Sequence, residues 1–304
     1  MKKLLTSAIL IGLIFLIYNY RDQIVEYVAV NYIFKNEFNY EVESKYKKRE
    51  FSYFTETNNY KPKSKEDILN IIYTAINNGM DEFNFYCSHD YENCINDVKL
   101  VLSDDAFLSN INNFVSAYNT YSTLNITINS LGKINIIINK YYDEATINVI
   151  NNKVDELISE LITDDMSDYD KIKTIHDYII NNTIYDKEKE KYLNTDVITQ
   201  YNSNLAYGPL FEGYGICSGY SDLMSIFLDK LNIPNYRISN DDHVWNLVYV
   251  DGKWLHMDLT WDDPVTNTGE QILNYDYFLI ATDELHEKDT EKHEFDKNIY
   301  LEAN

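Results

Sequence analysis

Three side chains in this 304-residue chain have the types and settings for nucleophilic chemistry: Cys217, His243 and Asp258. Cys217 stands in YGICSGYSDLMSIFLDKLNIP, between Gly215 and Gly219, at the mouth of a helix pattern. A thiol in a first helical turn meets the positive end of the helix dipole and N–H groups with no intrahelical partner. Both favour the thiolate, the reactive form. Gly219 leaves room for close approach of another backbone or a substrate. A lone cysteine on an apolar helix face is also a common, inert core residue, so the reading turns on a partner. His243 supplies an imidazole that can take and return a proton. Asp258 supplies a carboxylate that can fix its tautomer and steady the imidazolium.

The elements around these residues must bring them together. After Cys217, the apolar residues Tyr220, Leu223, Met224, Phe227, Leu228 and Leu231 recur at the spacing of one helix face, and Pro234 follows where a helix stops. Downstream, HVWNLVYVDGKWLHMDLTWDDP carries Asp251-Gly252 between two β-rich runs, a strong hairpin signal. A two-residue loop pairs Val250 with Lys253. One face then carries His243, Trp245, Leu247, Trp254, His256 and Asp258; the other carries Val244, Asn246, Val248, Val250, Leu255, Met257 and Leu259. His243 and Asp258 become diagonal neighbours, with Cβ atoms about 7 Å apart. A register one residue longer or shorter would turn Asp258 away. His256 shares the face, so a zinc site of His243, His256 and Asp258 is an alternative; it needs directly adjacent positions and an open fourth one.

With 45% hydrophobic residues, the chain can build one large core or two small ones. A formal net charge of −23 argues against nucleic-acid partners and against peripheral binding to anionic lipid. The 28 tyrosines fit base-composition bias in an AT-rich genome. At the N-terminus, Lys2 and Lys3 precede an apolar run from Leu4 to Tyr20 with no small-residue cleavage site after it. This is expected to be a single uncleaved membrane anchor with the rest of the protein outside the cell; a cleaved secretion signal is the alternative.

Residues 21–60 read as a stalk or irregular lead-in, and 61–155 as a small α+β domain. In that domain Ser64 with Asp67 offers a helix cap, EFNFYC alternates as a strand, AFLSNINNFVSAY is helical, TLNITINS and KINIIINKYY flank a turn at Leu131-Gly132, and INVINNKVDELISELI is a long helix. Cys87 and Cys94, in CSHDYENC, could form a disulfide in an oxidising compartment, which would leave Cys217 as the odd thiol. Their spacing with His89 matches no common zinc site.

GICSGYSDLMSIFLDKLNIP, HVWNLVYVDGKWLHMDLTWDDP and, upstream, YDKIKTIHDYIINNTIYD together resemble the transglutaminase-like superfamily, whose core is similar to papain-like cysteine proteases. YFLIATDELHEKDTEKHEF resembles the tail of many bacterial members. The resemblance runs from about Asp164 to Phe295. It implies an α+β fold in residues 156–304, with the nucleophile helix packed on an antiparallel sheet, in a bacterial, membrane-anchored or secreted protein. It carries the family's nucleophile, histidine and aspartate onto Cys217, His243 and Asp258. The implied activity is acyl transfer or hydrolysis on protein or peptide amides through a thioester, with a cell-wall or cell-surface substrate and no cofactor or metal. The oxyanion would be held by the backbone N–H of Cys217 and a second donor, for which Tyr207 is the candidate. DDPVTNTGEQ lacks the ligand spacing of a calcium loop and reads as a turn. His176, beside the apolar face of IHDYIINN, reads as structural. The alternative function is a non-catalytic surface-binding module of the same fold.

Overall fold

The computed structural model describes residues 2–34, 51–192, 197–264, 272–289 and 291–303. Chain contacts divide these residues into two units. The first takes in 2–34, 56–104 and 123–139; the second takes in 51–55, 105–122 and 140–303. This division differs from a single cut near residue 155, because the helix containing AFLSNINNF and the helix after residue 143 both belong with the second unit.

The first unit opens with helices α1 (Lys2–Asn19) and α2 (Arg21–Val28), followed by a π-helical turn, Ala29–Ile33. Residues 21–33 are thus helical, and 35–50 lie outside the described residues. Among the described residues no helix is long and apolar enough to cross a membrane.

Helix α3 (Lys65–Asn77) starts where the sequence places it. Ser64 Oγ accepts from Asp67 N at 3.1 Å, and Asp67 Oδ2 accepts from Lys63 N at 2.8 Å. Its Ile68, Ile71, Ile72, Ala75 and Ile76 are fully buried. Strand β1 (Glu82–Tyr86) and helix α4 (Cys94–Leu102) flank the Cys87–Cys94 disulfide, whose Cα atoms are 5.6 Å apart. The open question of these two cysteines is thereby answered: they are bonded. Strands β2 (Tyr121–Ile128) and β3 (Lys133–Lys140) complete a sheet of order β1-β3-β2. Gly132, in the turn between them, has φ +89°, a conformation that favours glycine.

The second unit contains helices α5 (Asp105–Phe114), α6 (Glu144–Leu161), α7 (Asp168–Asn181) and the short α8 (Lys187–Lys191), then α9 (Cys217–Lys230). Two-residue strands β4 (Ile184–Tyr185) and β5 (Tyr214–Gly215) pair in parallel just before α9. An antiparallel sheet follows, built from β6 (Asn235–Ser239), β7 (Val244–Val250) and β8 (Lys253–Met257) in that order. Short helices α10 (Leu259–Asp262) and α11 (Thr282–Lys288) end the fold.

The expected hairpin register is the observed one: Val250 pairs with Lys253 and Asn246 with Met257. Asp251 and Gly252 both take positive φ, as a two-residue hairpin turn requires. One sheet face, including Val248, Val250 and Met257, joins a core with Tyr220, Leu223, Met224, Phe227 and Leu228 of α9. Each such buried side chain contributes about 1.5–3 kcal/mol, so the helix carrying Cys217 is fixed on the sheet along its length. The other face meets α5 and the C-terminal segment: Tyr236 stacks on Phe114 at 5.1 Å, and Trp245 meets Phe295 edge-on at 6.3 Å.

Candidate active site

Cys217 is the first residue of α9, and Ile216 before it is extended. The start of the helix is held by the chain segment at 202–205. Ile216 N donates to Ser203 O at 2.9 Å, and Ser218 Oγ donates to Asn204 O at 3.0 Å. A Cβ on Gly219 would lie 2.2 Å from Ser203 O. The close approach foreseen for Gly219 is therefore that of a backbone rather than a substrate.

Ser221, one turn on, ties the nucleophile turn to the sheet. Its hydroxyl reaches Cys217 O at 2.7 Å and Val244 O at 3.1 Å, and Asn246 Nδ2 donates to Ser221 O at 3.0 Å. These bonds fix the entrance of β7, and hence His243, against the first turn of α9. His243 closes the turn between β6 and β7, where Asn240 Oδ1 accepts from Asp242 N at 3.0 Å and from His243 N at 2.9 Å. Its ring lies on Trp245, with centroids 5.6 Å apart.

Asp258 is not in a strand. It follows β8 and caps α10, its Oδ1 accepting from Thr260 N at 2.9 Å and Trp261 N at 3.3 Å. Its Oδ2 accepts from His243 Nε2 at 2.5 Å, the contact that the hairpin register anticipates. Since Nε2 is taken, Nδ1 is the nitrogen left for the Cys217 thiol, which is a hydrogen-bonding neighbour of the ring. Burial opposes the charged ring, but the Asp258 carboxylate outweighs it with help from Cys217, and the imidazole is pushed up to about 10. Asp258 is fully enclosed, which works against its charge. His243 and His293 overcome this and hold its carboxyl well below the usual carboxylate range.

Cys217 and His243 line one cavity of about 470 Å³, with Asn204, Ser218, Asp241 and Asp242 among its other walls. Tyr207, the expected second oxyanion donor, is not among its lining residues. It packs against the core and on Phe211, with ring centroids 4.8 Å apart.

His256 does not join His243 and Asp258. Its Nδ1 accepts from Trp245 Nε1 at 3.0 Å and its Nε2 meets Thr282 Oγ1 at 3.0 Å. Burial, with His293 and His286 nearby, pushes it down to about 3, so it stays neutral. The histidine that does join them is His293, which sequence reasoning missed: its Nε2 donates to Asp258 Oδ2 at 2.9 Å. It lies in the KHEF segment, whose lack of periodicity gives it no face. The polar atoms of His243, Asp258 and His293 fall within 4.8 Å of one another, near enough for one cation. Both nitrogen–oxygen separations, 2.5 and 2.9 Å, are hydrogen-bond lengths. They are shorter than the ~3.3 Å between ligands about 2.0 Å from a tetrahedral zinc.

His176 is buried in α7 and bonded to Asp177 Oδ1 at 3.1 Å and Asp262 Oδ2 at 3.2 Å. Asp262 Oδ1 in turn accepts from Tyr277 N at 2.9 Å, and Asp258 N donates to Tyr277 O at 3.0 Å. His176 thus braces the turn that presents Asp258. The turn reading of DDPVTNTGEQ lies mostly outside the described residues, since 265–271 are not among them.

Comparison with known proteins bears on this arrangement. The chain is 26% identical to the human kyphoscoliosis peptidase over 148 residues, 41% of this chain and 21% of that protein. The mouse kyphoscoliosis peptidase is also 26% identical, over 152 residues, 43% of this chain and 22% of that protein. The chain thus spans about a fifth of the length of these relatives. The crystal structure of a TGase superposes with a TM-score of 0.35 at 18% identity, covering 46% of this chain and 44% of that one. Residues 155–259, which include Cys217, His243 and Asp258, match the family described as the transglutaminase-like superfamily and form a domain of that kind.

Proposed function

We propose that Cys217, His243 and Asp258 carry out cysteine-dependent acyl transfer on the amides of a protein or peptide, outside the cytoplasm. The reading rests on the run of contacts from Asp258 Oδ2 through His243 to Cys217 at the wall of one cavity. The thiolate of Cys217 attacks the amide carbon, and His243, charged and held by Asp258, gives its proton to the departing amine. The resulting thioester is then opened by water or by an amine, with His243 as the base. The curated relatives are named as peptidases, which favours water.

The oxyanion forms beside the first N–H groups of α9. We assign Asn204 as the second donor in place of Tyr207. Of the asparagines at the cavity wall, Asn112 and Asn113 are bonded to Tyr121 and Ser239, and Asn240 to Lys292; the side-chain amide of Asn204 is uncommitted among the described residues. The Cys87–Cys94 disulfide supports an oxidising, extracytoplasmic location.

The test is a mass-spectrometric search for acyl adducts on Cys217 after incubation with a cell-surface protein extract, with Cys217→Ala as control. An adduct on the Cys217 peptide is the expected result. No adduct, combined with a thiol that iodoacetamide alkylates only at strongly alkaline pH, would instead mark a non-catalytic binding module.

A further inference from the structure

We propose, on the footing of the acyl-transfer reading, that His293 is a positioning residue for the reaction: its Nε2–H holds Asp258 Oδ2 in the orientation that faces His243.

Three observations converge. His293 has no exposed surface, and the only hydrogen bond of its ring among the described residues is the 2.9 Å bond to Asp258 Oδ2. Its Nδ1 is buried with no hydrogen-bond partner. The rest of its surroundings is aromatic: Tyr277 stacks on it at 5.1 Å, and Trp261 and Trp245 meet it edge-on at 4.9 and 5.0 Å. A core position in such a cage is filled at lower cost by phenylalanine, because burying an imidazole with one nitrogen unsatisfied carries a desolvation penalty. The one thing the imidazole adds here is the bond to the carboxylate.

That bond matters because Asp258 is divided between two tasks. Oδ1 is committed to the amides of Thr260 and Trp261, while Oδ2 alone serves His243. With a single imidazole on Oδ2, rotation of the carboxylate would be resisted from one side only. Two imidazoles, meeting edge-on with centroids 5.4 Å apart, bracket the oxygen. Both Nε2–H groups draw on the same negative charge, so His293 also tempers the hold of Asp258 on the proton of His243, which must leave for the amine.

Other groups face this cluster from each neighbouring element. Cys217 comes from α9, Tyr185 from β4, His256 from β8, Asp262 from α10 and Tyr277 from the segment after it, while Asp241 and Asp242 flank His243 in its own turn. All of them are retained in the variants below, so they do not account for a difference between them.

The experiment uses the full chain with its six histidines labelled with ¹⁵N. The titration midpoint of His243 and the rate of Cys217 alkylation by iodoacetamide are followed in wild type, His293→Phe and His293→Gln. Phenylalanine keeps the ring in its cage without the donor. Glutamine places an N–H near the position of the imidazole Nε2. In H293F the midpoint should move downward by about half a pH unit or more, as Asp258 swings away from His243; an upward shift would mean that Asp258 keeps its place without His293 and would overturn the positioning role. Alkylation at neutral pH should slow about tenfold, the scale of one lost hydrogen bond to a carboxylate. H293Q should recover both.

A His243 midpoint and a rate unchanged in H293F, in a folded variant, would overturn the proposal. So would histidine shifts in the wild type that change on chelation and return with zinc, since His293 would then be a cation ligand. If H293F fails to fold, H293Q decides: a midpoint and rate at wild-type values support the donor role, and a midpoint and rate that both depart from wild type overturn it. Wild-type Cys217 that does not react as a thiolate would sink the acyl-transfer reading itself, a different outcome from a reactive Cys217 indifferent to residue 293.

Discussion

Replacing Asp258 with asparagine removes the charge and, with the remaining oxygen kept on the helix cap, puts an amide NH2 where Oδ2 accepts from His243 and His293. Asparagine caps a helix about as well as aspartate, so the bonds to Thr260 N and Trp261 N can persist. His243 is held at about 10 against an ordinary 6.5, although burial opposes its charge. At 1.36 kcal/mol per tenfold, that gap is on the order of 5 kcal/mol in favour of the imidazolium, most of it owed to the carboxylate. Without the carboxylate, burial is left opposing the charge, and the ring is neutral at pH 7. Without the imidazolium facing it, the Cys217 thiolate loses its main partner, so iodoacetamide should alkylate D258N at least about tenfold more slowly than wild type at about pH 6.5. The assay reads one site, because Cys87 and Cys94 are joined and Cys217 is the free cysteine. Rates would be taken from intact mass against time between pH 5 and 10. A stability difference accompanies the chemistry: a raised folded-state pKa stabilises fully below about 6.5, and the contribution fades as pH rises through about 10. Wild type should therefore lose stability across that alkaline window and D258N should not. Superimposable rate–pH curves for the two proteins would refute the coupling on which this reasoning stands.

Three further outcomes are expected. Ser221→Ala cuts both bonds that the hydroxyl makes to Cys217 O and Val244 O; urea unfolding should show a loss of about 1–2 kcal/mol, with slower Cys217 alkylation. Asn204→Ala should lower kcat about 100-fold with little change in KM once a substrate is found, since an oxyanion donor acts in the transition state; an equal rise in KM alone would assign Asn204 to substrate binding. Joint replacement of Cys87 and Cys94 by serine opens a short loop and should cost about 2.5 kcal/mol, read as a lowered Tm, and reducing agent should lower the Tm of wild type but not of this variant.

Where the sequence was legible, a strong local rule was at work. Asp251-Gly252 dictates a two-residue turn. Side-chain alternation then places His243 and Asp258 on a common face without any knowledge of the rest of the fold. The apolar period after Cys217 likewise defines a helix and the side it buries. Asp258 escaped in one respect: it ends the strand and caps a helix, a change of backbone within one residue that alternation does not signal. Tyr207 offered no such rule: it stands just before a π-helical turn, Gly208–Glu212, and proximity in sequence to a nucleophile says nothing about side-chain direction. His293 was invisible, standing 35 residues beyond its partner in an irregular segment, where only tertiary packing brings it to Asp258. The same limit applies to α5, which packs with the sheet around Tyr236; helical periodicity shows that a helix has an inner face, not which core it joins.

Gly219 carries a consequence for how this protein tolerates change over generations. It has no functional group and takes no part in the chemistry, yet its missing side chain is what lets the carbonyl of Ser203 rest against the nucleophile turn. Lineages that keep the reaction should hold this position as firmly as the cysteine beside it, and in a saturation-mutagenesis screen it should score like a reactive residue. The first accepted replacement at 219 would then be an early mark of a copy drifting free of selection, visible even while all three reactive side chains are still in place.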